Sequence, residues 1–303
     1  MKRPEIPDFK AMAAQAHARL GAAATSQLLN AGRRWNLAPT LRAGGAVMFP
    51  HATIEVCGCQ IAAAVHACLD SGADRVLALG VLHALTPELQ AARVRVAQGG
   101  DVTQEPSWGI QGPGLDRRQD WRDEFSLAHF LFLWRQEVER RGVDAPELVI
   151  RYPYLAGGRP HILPGMDELQ ALLADRARRT VVVATADVFH HGIAYDDPPD
   201  ASLFPQQGGL DLGRQRIGEA LEMLEAGDYW GYNQHCAYVA KSDARDVGQV
   251  LRYLLGPLQG RILDIVADDM AAAYARPAPS WVAGALIELR PPAFVDGRRG
   301  GTW

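Results

Sequence analysis

The chain has 303 residues, 48% of them apolar and 22% charged, with a formal net charge of −4. That is the mix of a globular protein with a sizeable core, and it excludes a disordered or fibrous chain. No basic block marks a nucleic-acid footprint, and no apolar run reaches the length of an ordinary membrane span. The opening Met1-Lys2-Arg3-Pro4-Glu5 turns polar where a signal peptide needs an apolar stretch, so a cytoplasmic location is the expectation.

Short apolar runs alternate with amphipathic stretches, the pattern of an α/β fold. In chain order, the spacing predicts a helix over 9–29 and a short strand Ala46–Phe49 that stops at Pro50. An Ala-rich helix over 57–69 follows, then a strand Arg75–Leu79 closed by Gly80. Residues 92–97 alternate Arg and Val, which reads as a half-exposed strand. Residues 99–123 are rich in Gly and Pro and predict a long lid or surface loop. A helix Leu127–Arg140, a strand Leu148–Tyr154, a helix Asp167–Arg178 and a strand Thr180–Ala186 come next. Residues 193–212 read as irregular. Helices Gly213–Ala226 and Asp243–Leu255, the second with Ser242 as N-cap, precede closing strands Ile262–Val266 and Trp281–Leu289. No repeat and no linker divides the chain. The expectation is one α/β domain over 1–303, with a central twisted, mostly parallel sheet and helices on both faces.

Three of the apolar strands run into histidines: His51 after the first, His83 after the second, and His190-His191 after Thr180–Ala186. Ligands of open α/β sheets bind at the carboxyl ends of strands. Neutral imidazole is the commonest metal ligand, so His51, His83 and His190 form a candidate metal site. Asn233-Gln234-His235-Cys236 offers a fourth ligand, with Cys236 as thiolate and His235 as its competitor. Cys57 and Cys59 fall in a predicted helix, where positions two apart diverge. Four cysteines, three of them within twelve residues, make no disulfide framework. Asp187, three residues before His190, is placed to orient it. Ser126 and His129 share one predicted helix and no nucleophile elbow is present, which sets a simple hydrolase aside.

Five motifs in order resemble the Memo-like family (AmmeMemoRadiSam system protein B), which shares its fold with class III extradiol ring-cleaving dioxygenases. They are Ala46-Val47-Met48-Phe49-Pro50-His51-Ala52 followed by Cys57-Gly58, Arg75 to His83, Tyr154-Leu155-Ala156-Gly157, Asp187-Val188-Phe189-His190-His191-Gly192, and Trp281-Val282-Ala283-Gly284-Ala285-Leu286. The resemblance spans about 45–289. It implies His51, His83, His190 and Cys236 as metal-site residues, with Cys236 in the place of the relatives' carboxylate and His190 in the acid/base place. His129 stands in a third polar position of the family, whereas Phe125 and Ala128 replace polar groups and make the pocket more apolar. Strand geometry allows only one of His190 and His191 to face the crevice. The family's register selects His190.

The resemblance implies a metal-dependent oxidoreductase of the non-haem iron dioxygenase type, with O₂ and an apolar or aromatic small molecule as substrates. Fe(II) is the expected metal; copper and zinc suit the same imidazole and thiolate donors. The competing expectation is a closed His₃Cys site without turnover, in a metal-binding or partner-binding protein.

Overall fold

A computed structural model describes residues 7–116 and 118–292; the opening Met1–Glu5 segment lies outside them. The chain begins with three helices, α1 (Phe9–Arg19), α2 (Ala22–Gly32) and α3 (Ala38–Arg42). The single helix expected over 9–29 is therefore two, broken where Gly21 adopts an extended conformation. Next come β1 (Ala46–Phe49), α4 (Ile54–Asp70), β2 (Arg75–Leu79) and α5 (Pro87–Ala97). The expected strand at 92–97 is the end of α5. Thr86 caps that helix by accepting from the Leu89 amide, and Pro87 occupies its first turn. Leu89, Ala92 and Val96 then fall on one buried face at helical spacing, which outweighs the local Arg/Val alternation.

The middle of the chain supplies β3 (Gly109–Gln111), α6 (Ala128–Arg141), β4 (Glu147–Tyr154), α7 (Met166–Ala174), β5 (Thr180–Thr185) and β6 (Asp187–Gly192). The last part supplies α8 (Gly209–Ala226), α9 (Tyr229–Gln234), a π-helical turn His235–Val239, α10 (Arg245–Leu255), β7 (Gln259–Asp269) and β8 (Ser280–Arg290).

All eight strands join one mixed sheet in the order β3-β4-β2-β5-β1-β8-β6, with β7 on the free edge of β8. The central four, β4, β2, β5 and β1, run parallel. Antiparallel strands extend the sheet at both ends, β3 on β4 and β8 on β1. Residues of the parallel strands alternate between two cores. Val47, Phe49, Val76 and Ala78 face one with α2, α4 and α6, while Ala46, Met48, Leu77 and Leu79 face the other with α7, α8 and α10. Burial on both faces is why these strands read as unbroken apolar runs.

One feature of the sheet creates the site. β1 pairs with β8 at Ile287–Leu289, and β6 pairs with the same edge of β8 at Ser280–Gly284. β6 thus continues the line of β1 after β1 stops. The chain leaving β5 crosses the carboxyl end of β1, where the Ala186 amide donates to the Phe49 carbonyl at 2.9 Å. Gly284 lets Pro50 and Cys57 approach this crossing closely, since a Cβ there would meet both at 2.8 Å.

The expected loop over 99–123 holds the edge strand β3 and is tied to α5 by an Arg95–Glu105 ion pair at 2.7 Å. None of its described residues lines the large cavity. The walls of that cavity include instead Phe9, Met12 and Ala16 of α1 and Tyr274 beyond β7. Among the described residues, no helix is long and apolar enough to cross a membrane.

Candidate metal centre

A cavity of about 910 Å³ opens over the carboxyl ends of β1 and β2, a volume suited to a small organic molecule. His51 and His83 project into it from the turns that follow these strands. The two rings meet edge to face with centroids 5.1 Å apart.

Each ring is held from behind by its Nδ1. His51 Nδ1 lies 3.1 Å from the Thr185 hydroxyl, which itself donates to the Phe49 carbonyl at 2.9 Å. The hydroxyl's one proton is therefore committed, so Nδ1 carries the ring proton and Nε2 points into the cavity. His83 Nδ1 donates to Glu124 Oε1 at 2.8 Å, and the His83 amide donates to Glu124 Oε2 at 2.6 Å. Glu124 also accepts from the amides of Phe125 and Ser126. Burial opposes its charge, but His83 and these amides bring its pKa down to about 2.

Both Nε2 atoms converge on one carboxylate, Asp243 Oδ2, at 3.1 Å from His51 and 3.5 Å from His83. His51, His83 and Asp243 form one group of buried or half-buried donors able to hold a metal ion. Two histidines and a carboxylate suit several divalent ions, Fe(II) and Zn(II) among them, so the residues present fit a metal of that kind. Burial works against charging either ring. The carboxylates prevail, raising His51 and taking His83 up to about 10, while the histidines hold Asp243 well below the usual carboxylate range.

Asp187, His190 and Asp243 form a second donor group that shares Asp243 with the first. β6 and the segment before α10 are stitched together here. The Asp187 amide donates to Asp243 Oδ1 at 2.8 Å, the His190 amide to the Ala240 carbonyl at 3.0 Å, and the His51 amide to Asp187 Oδ1 at 3.1 Å. His190 Nδ1 donates to the Lys241 carbonyl, and its ring stacks on Tyr195 at 4.9 Å. Lys241 holds a left-handed φ of 50°, and its ammonium is anchored by Asp197 at 2.6 Å. His191 points away from the cavity, bonding Asp197 Oδ2 at 2.8 Å and accepting from the Leu203 amide at 2.9 Å.

Comparison with protein-family models and with curated proteins finds no match for this chain.

The other residues singled out in the sequence lie elsewhere. Cys236 lines the cavity but belongs to neither donor group. It sits in the π-helical turn, packed with Tyr232 and Leu224, and burial pushes its thiol up to about 12. The donor grouped with His51 and His83 is the carboxylate of Asp243, not Cys236. His235 lies nearby, with Nε2 2.8 Å from the Arg216 carbonyl. His129 lines the cavity and pairs with His17 at 2.8 Å, outside both donor groups. Burial, with His17 and His51 adding to it, lowers its pKa to about 3.

Asp243 was missed because it reads as the opening residue of a helix. The signal was there: Ser242-Asp243 follows Cys236 by a few residues, and a carboxylate is a common partner of histidines in metal sites. Tyr195 and Tyr274 carried no sequence signal. With Phe9 and Phe125 they form a chain of ring contacts around the cavity: Phe125 on His83 at 4.4 Å, Phe9 on Phe125 at 5.0 Å, Tyr274 against Phe9 at 5.8 Å and against Tyr195 at 5.6 Å.

Proposed function

We propose that the protein is a metal-dependent oxidoreductase of the non-haem iron dioxygenase type, acting on an aromatic or apolar small molecule. The observation that carries this reading is the convergence of His51, His83 and Asp243 on one point at the mouths of two strands. The motif resemblance to the Memo-like family, and through it to extradiol dioxygenases, supports the same reading. Bound Fe(II) would supply the one-electron chemistry that lets dioxygen react with an organic substrate.

The chain's own residues then have separate tasks. Thr185 and Glu124 fix the tautomers of His51 and His83 and aim their Nε2 atoms. His190, whose Nδ1 proton is committed to the Lys241 carbonyl, can take or give a proton at Nε2. Asp187 holds the His51 backbone and faces the same cavity. Phe9, Phe125, Tyr195 and Tyr274 exclude water and offer ring faces to an aromatic substrate.

A second reading is a metal-binding protein without turnover. It is favoured by the nearness of Asp187 and His190 to Asp243, which would let five side chains close around one ion. One experiment separates the two. Anaerobic protein is loaded with Fe(II), its metal content measured, and nitric oxide added. One iron per chain with a high-spin ferrous nitrosyl spectrum supports the open site. Iron without a nitrosyl supports the closed site, and no retained metal sinks both.

A further inference from the structure

α1 forms one wall of the cavity and is lightly anchored. Phe9, Ala13 and Ala16 line the cavity, while Lys10, Ala14 and Ala18 on the other side of the helix are exposed. Its two buried residues are both alanines, so little apolar surface fixes it to the body of the protein. α2, the next helix, packs on α4 and sinks Leu29 into the core.

A few side-chain contacts hold α1 instead. At its start, Phe9 stacks on Phe125 with centroids 5.0 Å apart and meets Tyr274 edge to face at 5.8 Å. Lys10 donates to the Arg122 carbonyl at 2.6 Å. Near its end, His17 bonds His129 at 2.8 Å and stacks on Phe132 at 4.3 Å. Phe125 in turn stacks on His83, so rings run without a break from the start of α1 to the donor cluster. After α1 the chain passes through Leu20 and Gly21, both extended. Among the described residues the Gly21 amide makes no hydrogen bond, and a Cβ there would meet nothing within 4 Å. Such an unencumbered link between two helices can absorb a rotation without breaking a contact of its own.

We propose that α1 is a lid on the cavity, hinged at Leu20-Gly21 and latched by Phe9 on Phe125. This stands on the cavity and its wall alone and does not depend on which metal or reaction the site carries. Rotation at the hinge moves Phe9 furthest, because the helix between Phe9 and Arg19 is about 15 Å long. Opening breaks the ring contacts of Phe9 and leaves the sheet and α2 in place. It also frees one face of Phe125, whose other contact is His83, so access to the cavity and support of that histidine change together.

The test uses Cys236, which lines the cavity and is 1% exposed, against Cys57 and Cys68, which are buried outside it. Burial raises the pKa of all three thiols, so each reacts only when it is uncovered. Full-length protein is treated with N-ethylmaleimide, and modification of each cysteine is followed by peptide mass spectrometry. In the parent protein Cys236 should react faster than Cys57 and Cys68, because local opening is easier than global unfolding. Phe9→Ala removes the latch and should raise the Cys236 rate about tenfold. Gly21→Pro fits the native φ of −65° and stiffens the hinge, so it should lower that rate about two- to fivefold. Neither substitution should move Cys57 or Cys68. Should Phe9→Ala raise all three rates, it has loosened the whole fold, and Gly21→Pro decides alone. Equal rates for Cys236, Cys57 and Cys68 in the parent overturn the lid. So does a Cys236 rate that Phe9→Ala leaves unchanged, or one that Gly21→Pro does not lower.

Discussion

Two histidine pairs, one in the cavity and one at its wall through His129, have nearly equal geometry and opposite chemistry. His51 and His83 meet edge to face at 5.1 Å, and His17 and His129 do so at 4.9 Å. Burial lowers the pKa of every one of them. Carboxylates make the difference. Asp243, Asp187 and Glu124 face the first pair and raise it, whereas His129 faces two histidines and no carboxylate, and falls to about 3. A histidine in a pocket is therefore not a metal site by itself; the acid beside it decides whether its Nε2 faces another donor or only another ring.

The strongest way to break this contrast is to remove the shared acid. Asp243→Ala should abolish stoichiometric metal binding with the fold retained, as should His51→Ala and His83→Ala. His129→Ala should leave occupancy intact. Metal content after gel filtration, with circular dichroism as the fold control, checks all four variants.

The His17–His129 pair makes its own prediction about pH. His129 titrates near 6.5 unfolded and near 3 folded, so the folded state binds fewer protons between those values. Its contribution is fully present above about pH 6.5 and is lost as pH falls toward 3, with a limiting slope of ~1.4 kcal/mol per pH unit. His129→Gln should flatten the acid limb of the stability curve by about one proton, measured by urea unfolding at several pH values. An unchanged slope would mean that the imidazole is solvated in the native state.

A milder change tests the support behind the first pair. Glu124→Gln keeps the shape but weakens the acceptor of the His83 Nδ1 proton. Metal affinity should fall about 10- to 100-fold, as for other residues that orient a ligating histidine. Competition with a chromophoric chelator measures this.

The smallest expected effect is at Cys236. It lies outside both donor groups, and burial raises its pKa, so Cys236→Ala should change metal stoichiometry not at all and affinity less than a few-fold. Loss of metal on that substitution would return the cysteine to the ligand set and displace Asp243.

Composition, apolar runs and chain order determined the α/β class, the helices on both faces, and histidines placed after β1, β2 and β5. Those features are local: each strand's burial on both faces is written in its own residues, as in Val47-Met48-Phe49 and Leu77-Ala78-Leu79. Local pattern misled at Arg93-Val94-Arg95-Val96, where the cap at Thr86 and the partner surface chose a helix. Which acid joins the two histidines in a donor cluster was decided by tertiary structure alone. Asp243 and Arg245 reach the cavity because β6 takes over from β1 along β8 and is stitched to residues 240–243 by backbone bonds. That handover joins segments more than 100 residues apart in the chain, from His51 to Asp187 at 136 positions, and no sequence period records such a contact.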